Sequence, residues 1–161
     1  MKTLTLIRHA KSSWEGNFKD FDRPLNDRGL QDLPKMVAKA KGFMLEPDLV
    51  LSSPAKRALT TANAFVVGME IQPDKFILNQ NLYDFSGEYL VKTIKSVNDS
   101  IKTLMVFGHN HAITYFVNAF GNQYINNVPT CGLVTIEFSV ESWADINKGK
   151  TIKILFPKEL D

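Results

Sequence analysis

Short β-rich runs alternate along this chain with apolar residues at helical spacing, and that alternation restricts the possible folds more than any other feature. Residues 3–8 (TLTLIR), 48–52 (DLVLS), 75–79 (KFILN) and 103–108 (TLMVFG) each read as a strand. Between them lie stripes at spacings of three and four: Leu30, Leu33, Val37, Ala40 and Met44; Ala58, Leu59, Ala62 and Val66; Leu90, Ile94, Val97 and Ile101. Ile113, Phe116, Val117 and Phe120 form a fourth stripe, and residues 133–139 and 151–156 add two strand-like runs. Strands alternating with helices imply an α/β three-layer sandwich: one mostly parallel sheet with helices on both faces. The nearly all-apolar TLMVFG run fits a strand covered on both sides.

Local signals set the expected boundaries. Asn26 reads as an N-cap, and Pro34 should bend the first helix or delay its start. Ser53-Pro54 reads as a cap followed by proline at the first helical position, and Ser86 as a cap for the third helix. Residues 10–25 show no sustained period, so they read as a long loop, of the kind that often carries function. The chain of 161 residues, with 44% hydrophobic and 22% charged side chains, suits one domain spanning 1–161 that needs no disulfide or structural metal. A formal charge of +2 without a basic run gives no support for a nucleic-acid partner. The single cysteine, Cys131, gives no disulfide framework, and the N-terminal apolar run is stopped at once by Arg8 and His9. No stretch approaches the roughly 18 apolar residues of a membrane span. The expectation is a cytoplasmic protein without a membrane partner, a monomer or weak dimer.

In a parallel sheet ligands bind beyond the carboxyl ends of the strands. Arg8 and His9 end the first strand, His109 follows TLMVFG, and Arg57 lies in the first turn after the second strand. Taken singly, each has an ordinary explanation, a packed or surface histidine or a solvated helix arginine. If the strands are neighbours, two guanidiniums and two imidazoles converge at one edge, with a helix amino terminus after Ser53. Planar guanidinium forks and helix N–H groups match phosphoryl oxygens, and a neutral imidazole can attack phosphorus. The second imidazole can stabilise charge on the equatorial oxygens, so the scheme needs no metal and no cofactor. Lys11 and Ser12, directly after the strand, are counted as further substrate-binding candidates. His109-Asn110-His111 could open a metal or nuclease motif, but further ligands at suitable spacing are missing, and His111 reads as a rim residue.

Several of these blocks together resemble the histidine phosphatase superfamily, with its phosphoglycerate mutase-like fold. LIRHAKSSW resembles the family's first signature, SSPAKRALTTA its second block and VFGHN its third. FDRPLNDRG and the tail (PTCGLVTIEF) are similar to the short SixA-type branch of phosphohistidine phosphatases. The resemblance implies that His9 accepts the phosphoryl group and that Arg8, Arg57 and His109 line the phosphate pocket. It also implies a phosphohistidine on a signalling protein as substrate. Two departures stand out. Ala10 replaces the usual glycine, and the Glu that protonates alcohol leaving groups in longer relatives is absent, with Asn81 near its place. Asp84 and Glu88 are the possible substitutes.

Imidazole, with a pKa of about 6.5, leaves with far less protonation than an alkoxide, so a site without a placed acid favours phosphoramidates over esters. A chain this short leaves little for a lid, so the pocket is expected to be shallow and open, rimmed by Lys11, Trp14, Phe18 and Phe21. Trp14 is either an anchor for a partner or, more simply, a packing residue. The functional expectation is a metal-independent phosphatase acting on phosphohistidine. The alternatives are a small-molecule phosphomonoesterase on the same site, with Asp84 or Glu88 as acid, and a non-catalytic phosphate-binding module.

Overall fold

The computed structural model describes residues 1–160, and its six strands form one sheet in the order β3-β2-β4-β1-β5-β6. They are β1 (Lys2–Arg8), β2 (Leu49–Ser52), β3 (Phe76–Leu78), β4 (Thr103–Gly108), β5 (Leu133–Phe138) and β6 (Lys150–Leu155). β1, β4, β2 and β3 run parallel; β5 is antiparallel to both β1 and β6, so it alone runs the other way. The helices are α1 (Asp27–Lys41), α2 (Lys56–Gly68), α3 (Glu88–Lys95) and α4 (Ala112–Phe120).

Alternation along the strands divides the interior into two cores. Leu104 and Val106 of β4, with Leu4 and Leu6 of β1, pack against Leu90 and Ile94 of α3 and Ile113, Phe116 and Val117 of α4. Met105, Phe107 and Ile7 face the opposite way, onto Leu33, Met36, Val37 and Ala40 of α1 and Ala62, Phe65 and Val66 of α2. A strand that must be apolar on both faces explains the unbroken TLMVFG run.

Several helix details differ from the sequence reading. Asn26 caps α1 by accepting from the Gly29 N–H, but Pro34 lies inside this helix without delaying its start. The carbonyl four residues earlier, which loses its N–H partner, belongs to Leu30, whose residue is 54% exposed and can be hydrated. Leu30 therefore leaves the buried stripe, and Gly29, Asp32 and Met36 take inner positions instead. Helix α2 starts at Lys56, two residues later than the Ser53-Pro54 signal indicates, although the Ser53 hydroxyl does accept from the Ala55 N–H; it also bonds to His109. At the start of helix α3 Ser86 Oγ accepts from the Glu88 N–H (3.4 Å) and Asp84 accepts from the N–H groups of Gly87 and Leu90; the helix ends at Lys95, so Val97 and Ile101 pack on the core from outside it.

The sheet order puts the strand ends where chemistry needs them. β1 lies beside β4 with Arg8 paired to Gly108, so Arg8-His9 and His109 emerge side by side. β2 flanks β4 on its other side and delivers the start of α2, with Arg57, to the same edge.

Candidate active site

Backbone bonds fix the first segment tightly. The His9 N–H donates to the Gly108 carbonyl (3.1 Å), and the Cys131 N–H bonds to the carbonyls of Arg8 and His9. The Ala10 N–H donates to Thr61 Oγ1 (2.9 Å), and that hydroxyl donates to the Arg57 carbonyl (2.8 Å). Ala10 is fully buried, so a small residue fits where the chain turns away from β1. On the far side of that turn α1 approaches so closely that a Cβ on Gly29 would lie 2.2 Å from the Lys11 carbonyl oxygen. Only glycine allows that approach.

The four predicted residues come together. The His9 and His109 rings have centroids 5.3 Å apart, and the Arg57 Nε–H donates to His9 Nε2 at 3.4 Å. His9 Nδ1 lies 2.7 Å from the Ala10 carbonyl oxygen. A carbonyl can only accept, so Nδ1 carries the proton and Nε2 keeps its lone pair. Burial, against the pull of the Ala10 carbonyl and together with the positive charges of Arg57, Arg8 and Arg23, brings His9 down to about 3. His109 is pushed down to about 2, first by burial and then by His9 and Arg57. Both imidazoles are therefore neutral at ordinary pH, as a nucleophile must be.

His109 Nε2 bonds to Ser53 Oγ at 2.8 Å, while its Nδ1 is buried without a partner among the described residues. Arg8 donates through Nη1 to the Val128 carbonyl (2.9 Å), and its Nε is likewise buried and unpartnered. Burial, with Arg57 nearby, lowers the Arg8 pKa. Orphaned buried polar atoms are rare and need an explanation. Beside a cluster of guanidiniums, these two nitrogens are donors that suit phosphoryl oxygens. Among the described residues no group of three or more His, Cys, Asp or Glu side chains could hold a metal ion.

The remaining candidates have other tasks. Asp84 accepts from the N–H groups of Ser86 (3.1 Å), Gly87 (3.1 Å) and Leu90 (3.0 Å), and so ties down the start of α3. Burial alone would raise its pKa, but these bonds outweigh it and hold the carboxyl below its ordinary value. Glu88 is exposed and pairs with Lys92 at 3.2 Å. Asp84 is thus engaged by backbone N–H groups and Glu88 by a surface lysine. The Ser12 hydroxyl accepts from Arg23 Nη1 (2.8 Å), and Lys11 is exposed. Trp14 does not pack into the interior: it is 81% exposed, with the Arg23 guanidinium 3.6 Å above its ring.

The expectation of an open pocket is not met either. His9 is 6% exposed and His109 1%, because the loop after His9 folds back over the site. Asp20, in the 3₁₀ turn at Asp20–Asp22, accepts from Arg57 through its carbonyl (2.6 Å) and its carboxylate (3.0 Å). Asp20 also accepts from the Tyr83 hydroxyl (2.5 Å) and from Arg23 Nε (3.2 Å). Partial burial would raise the Asp20 pKa, but Tyr83, Arg57 and Arg23 bring it down to about 2. Tyr83 and Phe85 both stand against the His109 ring, with centroids 5.4 and 5.1 Å away. Asp20, Arg23, Ser53 and Tyr83 are thus parts of the site that spacing alone did not mark. A cavity of about 730 Å³ lies on the flank of the loop between Lys11 and Arg28 and contains none of the four central residues.

Comparison with known proteins bears on the fold and the family. An uncharacterised chloroplastic protein of Arabidopsis thaliana is 27% identical over 158 residues, covering 89% of this chain and 70% of its own. The structure of the protein histidine phosphatase SixA complexed with tungstate superposes with a TM-score of 0.79 at 21% identity, covering 99% of both chains. SixA of Agrobacterium tumefaciens superposes with a TM-score of 0.75 at 23% identity, covering 97% of this chain and 98% of its own. At such identities the superpositions establish the fold, which is the phosphoglycerate mutase-like α/β sandwich. The family model of the histidine phosphatase superfamily (branch 1) matches residues 4–102, more than half of the sequence, and the chain belongs to that superfamily.

Proposed function

We propose that this protein is a phosphatase that carries the phosphoryl group on His9 Nε2 and acts by preference on a phosphohistidine of a protein. The lone pair of Nε2 attacks phosphorus while Arg57 and Arg8 hold the equatorial oxygens. With the Ser53 hydroxyl donating to Nε2 of His109, Nδ1–H of that ring is left to donate to the same oxygens. The new N–P bond forms as the P–N bond of the substrate, protonated on the other nitrogen of its ring, breaks, and the bonding pair departs with a neutral imidazole. Water then attacks the phosphoenzyme, the His9 nitrogen leaves with its electron pair, and inorganic phosphate is released with a proton.

One observation carries the choice of substrate: every carboxyl set against the site or proposed for it is ionised or turned elsewhere. Asp20 is pulled down to about 2, Asp84 is consumed by backbone N–H groups, and Glu88 faces Lys92. A site without a protonated carboxyl serves a leaving group that departs without an acid, as imidazole does and an alkoxide does not. The SixA structures that share this fold carry the name of histidine phosphatases, which points the same way. The burial of His9 beneath the Asp20 loop favours a second reading, a small phosphate compound as substrate.

The test is phosphate release, without added metal, from a phosphohistidine-loaded protein and from a panel of alkyl and aryl phosphates. Fast turnover of the phosphohistidine, abolished in His9→Ala, is the expected result. Equal turnover of an unactivated alkyl ester would remove the argument for phosphohistidine and move the substrate to small esters.

A further inference from the structure

Arg57 is held by a residue to which the reaction scheme above gives no part. Its guanidinium carries five N–H donors in a rigid fork. Nη1 and Nη2 both donate to Asp20, to the main-chain oxygen at 2.6 Å and to Oδ2 at 3.0 Å, whereas Nε donates to His9 Nε2 at 3.4 Å. Asp20 therefore occupies the outer edge of the fork and leaves the inner edge facing the nucleophile. The Asp20 carboxylate is itself fixed by the Tyr83 hydroxyl (2.5 Å) and by Arg23 Nε (3.2 Å). Tyr83 in turn packs on the His109 ring. Asp20 thus links Arg57 to the opposite wall of the site. Its side chain is 45% exposed while that of Arg57 is 2% exposed, so the gripping residue forms the outer layer over a buried cation.

We propose that Asp20 is the positioning residue of Arg57, holding the outer edge of the guanidinium so that its Nε edge meets the phosphoryl group transferred to His9. The inference rests on the phosphoryl-transfer reading above. It makes a prediction opposite in sign to simple electrostatics. A carboxylate beside an anion site repels the anion, so charge alone predicts tighter oxyanion binding once Asp20 is removed. Positioning predicts the reverse, because a freed guanidinium no longer presents its donors in register.

The experiment compares wild type, Asp20→Ala and Asp20→Asn by calorimetric binding of tungstate, by kcat/KM for phosphohistidine and by Tm. Asp20→Ala is expected to weaken tungstate binding at least about tenfold and to lower kcat/KM by roughly ten- to a hundredfold. Asp20→Asn keeps a side-chain oxygen that can accept from Nη2, so it is expected to stay within about fivefold of wild type in both. Tungstate binding equal to or tighter than wild type in both variants would overturn the proposal and make Asp20 a competing anion. Equal losses in both variants with a lowered Tm would overturn it as well, by making Asp20 a residue that holds the loop. A wild-type protein that binds tungstate but does not turn over phosphohistidine would sink the proposed function. The tungstate comparison would still decide the role of Asp20.

Discussion

Lowering the pH should destabilise this protein through its own active site. His9 and His109 are pushed down to about 3 and about 2, chiefly by burial, while in the unfolded chain both titrate near the ordinary histidine value of about 6.5. Below that value the unfolded chain takes up two protons that the folded chain refuses. The stability these neutral imidazoles allow is therefore fully present above pH 6.5 and is lost progressively as pH falls towards 3. Each group contributes up to about 1.4 kcal/mol per pH unit, so the pair removes roughly 3 kcal/mol between pH 7.5 and 5.5. Against a typical total of about 5–15 kcal/mol this is a large share. Asp20 does not enter this window, because a carboxyl brought down to about 2 loses its contribution only below about pH 4. Urea unfolding at constant ionic strength, in buffers free of phosphate, measures the effect; bound phosphate would stabilise the folded state by mass action. His109→Gln should remove about half of the pH dependence. A stability flat to within about 0.5 kcal/mol across this range would refute the reasoning, since imidazoles with ordinary pKa values give no such slope.

Other consequences follow from particular contacts. Asp84→Ala removes the anchor of α3 and should cost about 1–2 kcal/mol of stability, read from urea unfolding, while kcat stays within threefold. A tenfold fall in ester turnover at unchanged stability would instead make Asp84 the acid. Gly29→Ala should lower the Tm, because its Cβ would meet the Lys11 carbonyl oxygen at 2.2 Å, and a gain in Tm would contradict that close approach. Cys131 is buried and its thiol is pushed up to about 12, first by burial and then by Asp32. Iodoacetamide at neutral pH should leave Cys131 unmodified in the folded protein and react with it in urea, as followed by mass spectrometry.

Much of the site was legible because strand ends are legible. An apolar run that stops at Arg8-His9 and another that stops before His109 place three side chains at one edge once the strands are parallel. β1 and β4 prove to be direct neighbours. Helix starts were less legible, because competing hydrogen bonds decide them. Ser53 accepts from the Ala55 N–H as a cap does, yet its hydroxyl also bonds to His109, and α2 begins only at Lys56. The Leu30 stripe misled for a related reason. Asp32 is buried with its carboxylate paired to Arg28 at 3.1 Å, so an acidic residue takes an inner position that the apolar stripe does not mark. Asp20 was not legible at all. Its loop has no period, and its partner Arg57 lies 37 residues away in sequence, so the contact exists only after the chain has folded.

The central claim is that His9 Nε2 carries the phosphoryl group. Rapid mixing with a phosphohistidine-loaded protein, an alkaline quench that preserves N–P bonds, and mass spectrometry of the resulting peptides test it most directly. The account predicts a transient phosphoryl increment on His9 that forms no more slowly than phosphate is released and is absent from His9→Ala. Full-rate phosphate release with no increment on His9, or turnover that survives in His9→Ala, would contradict it.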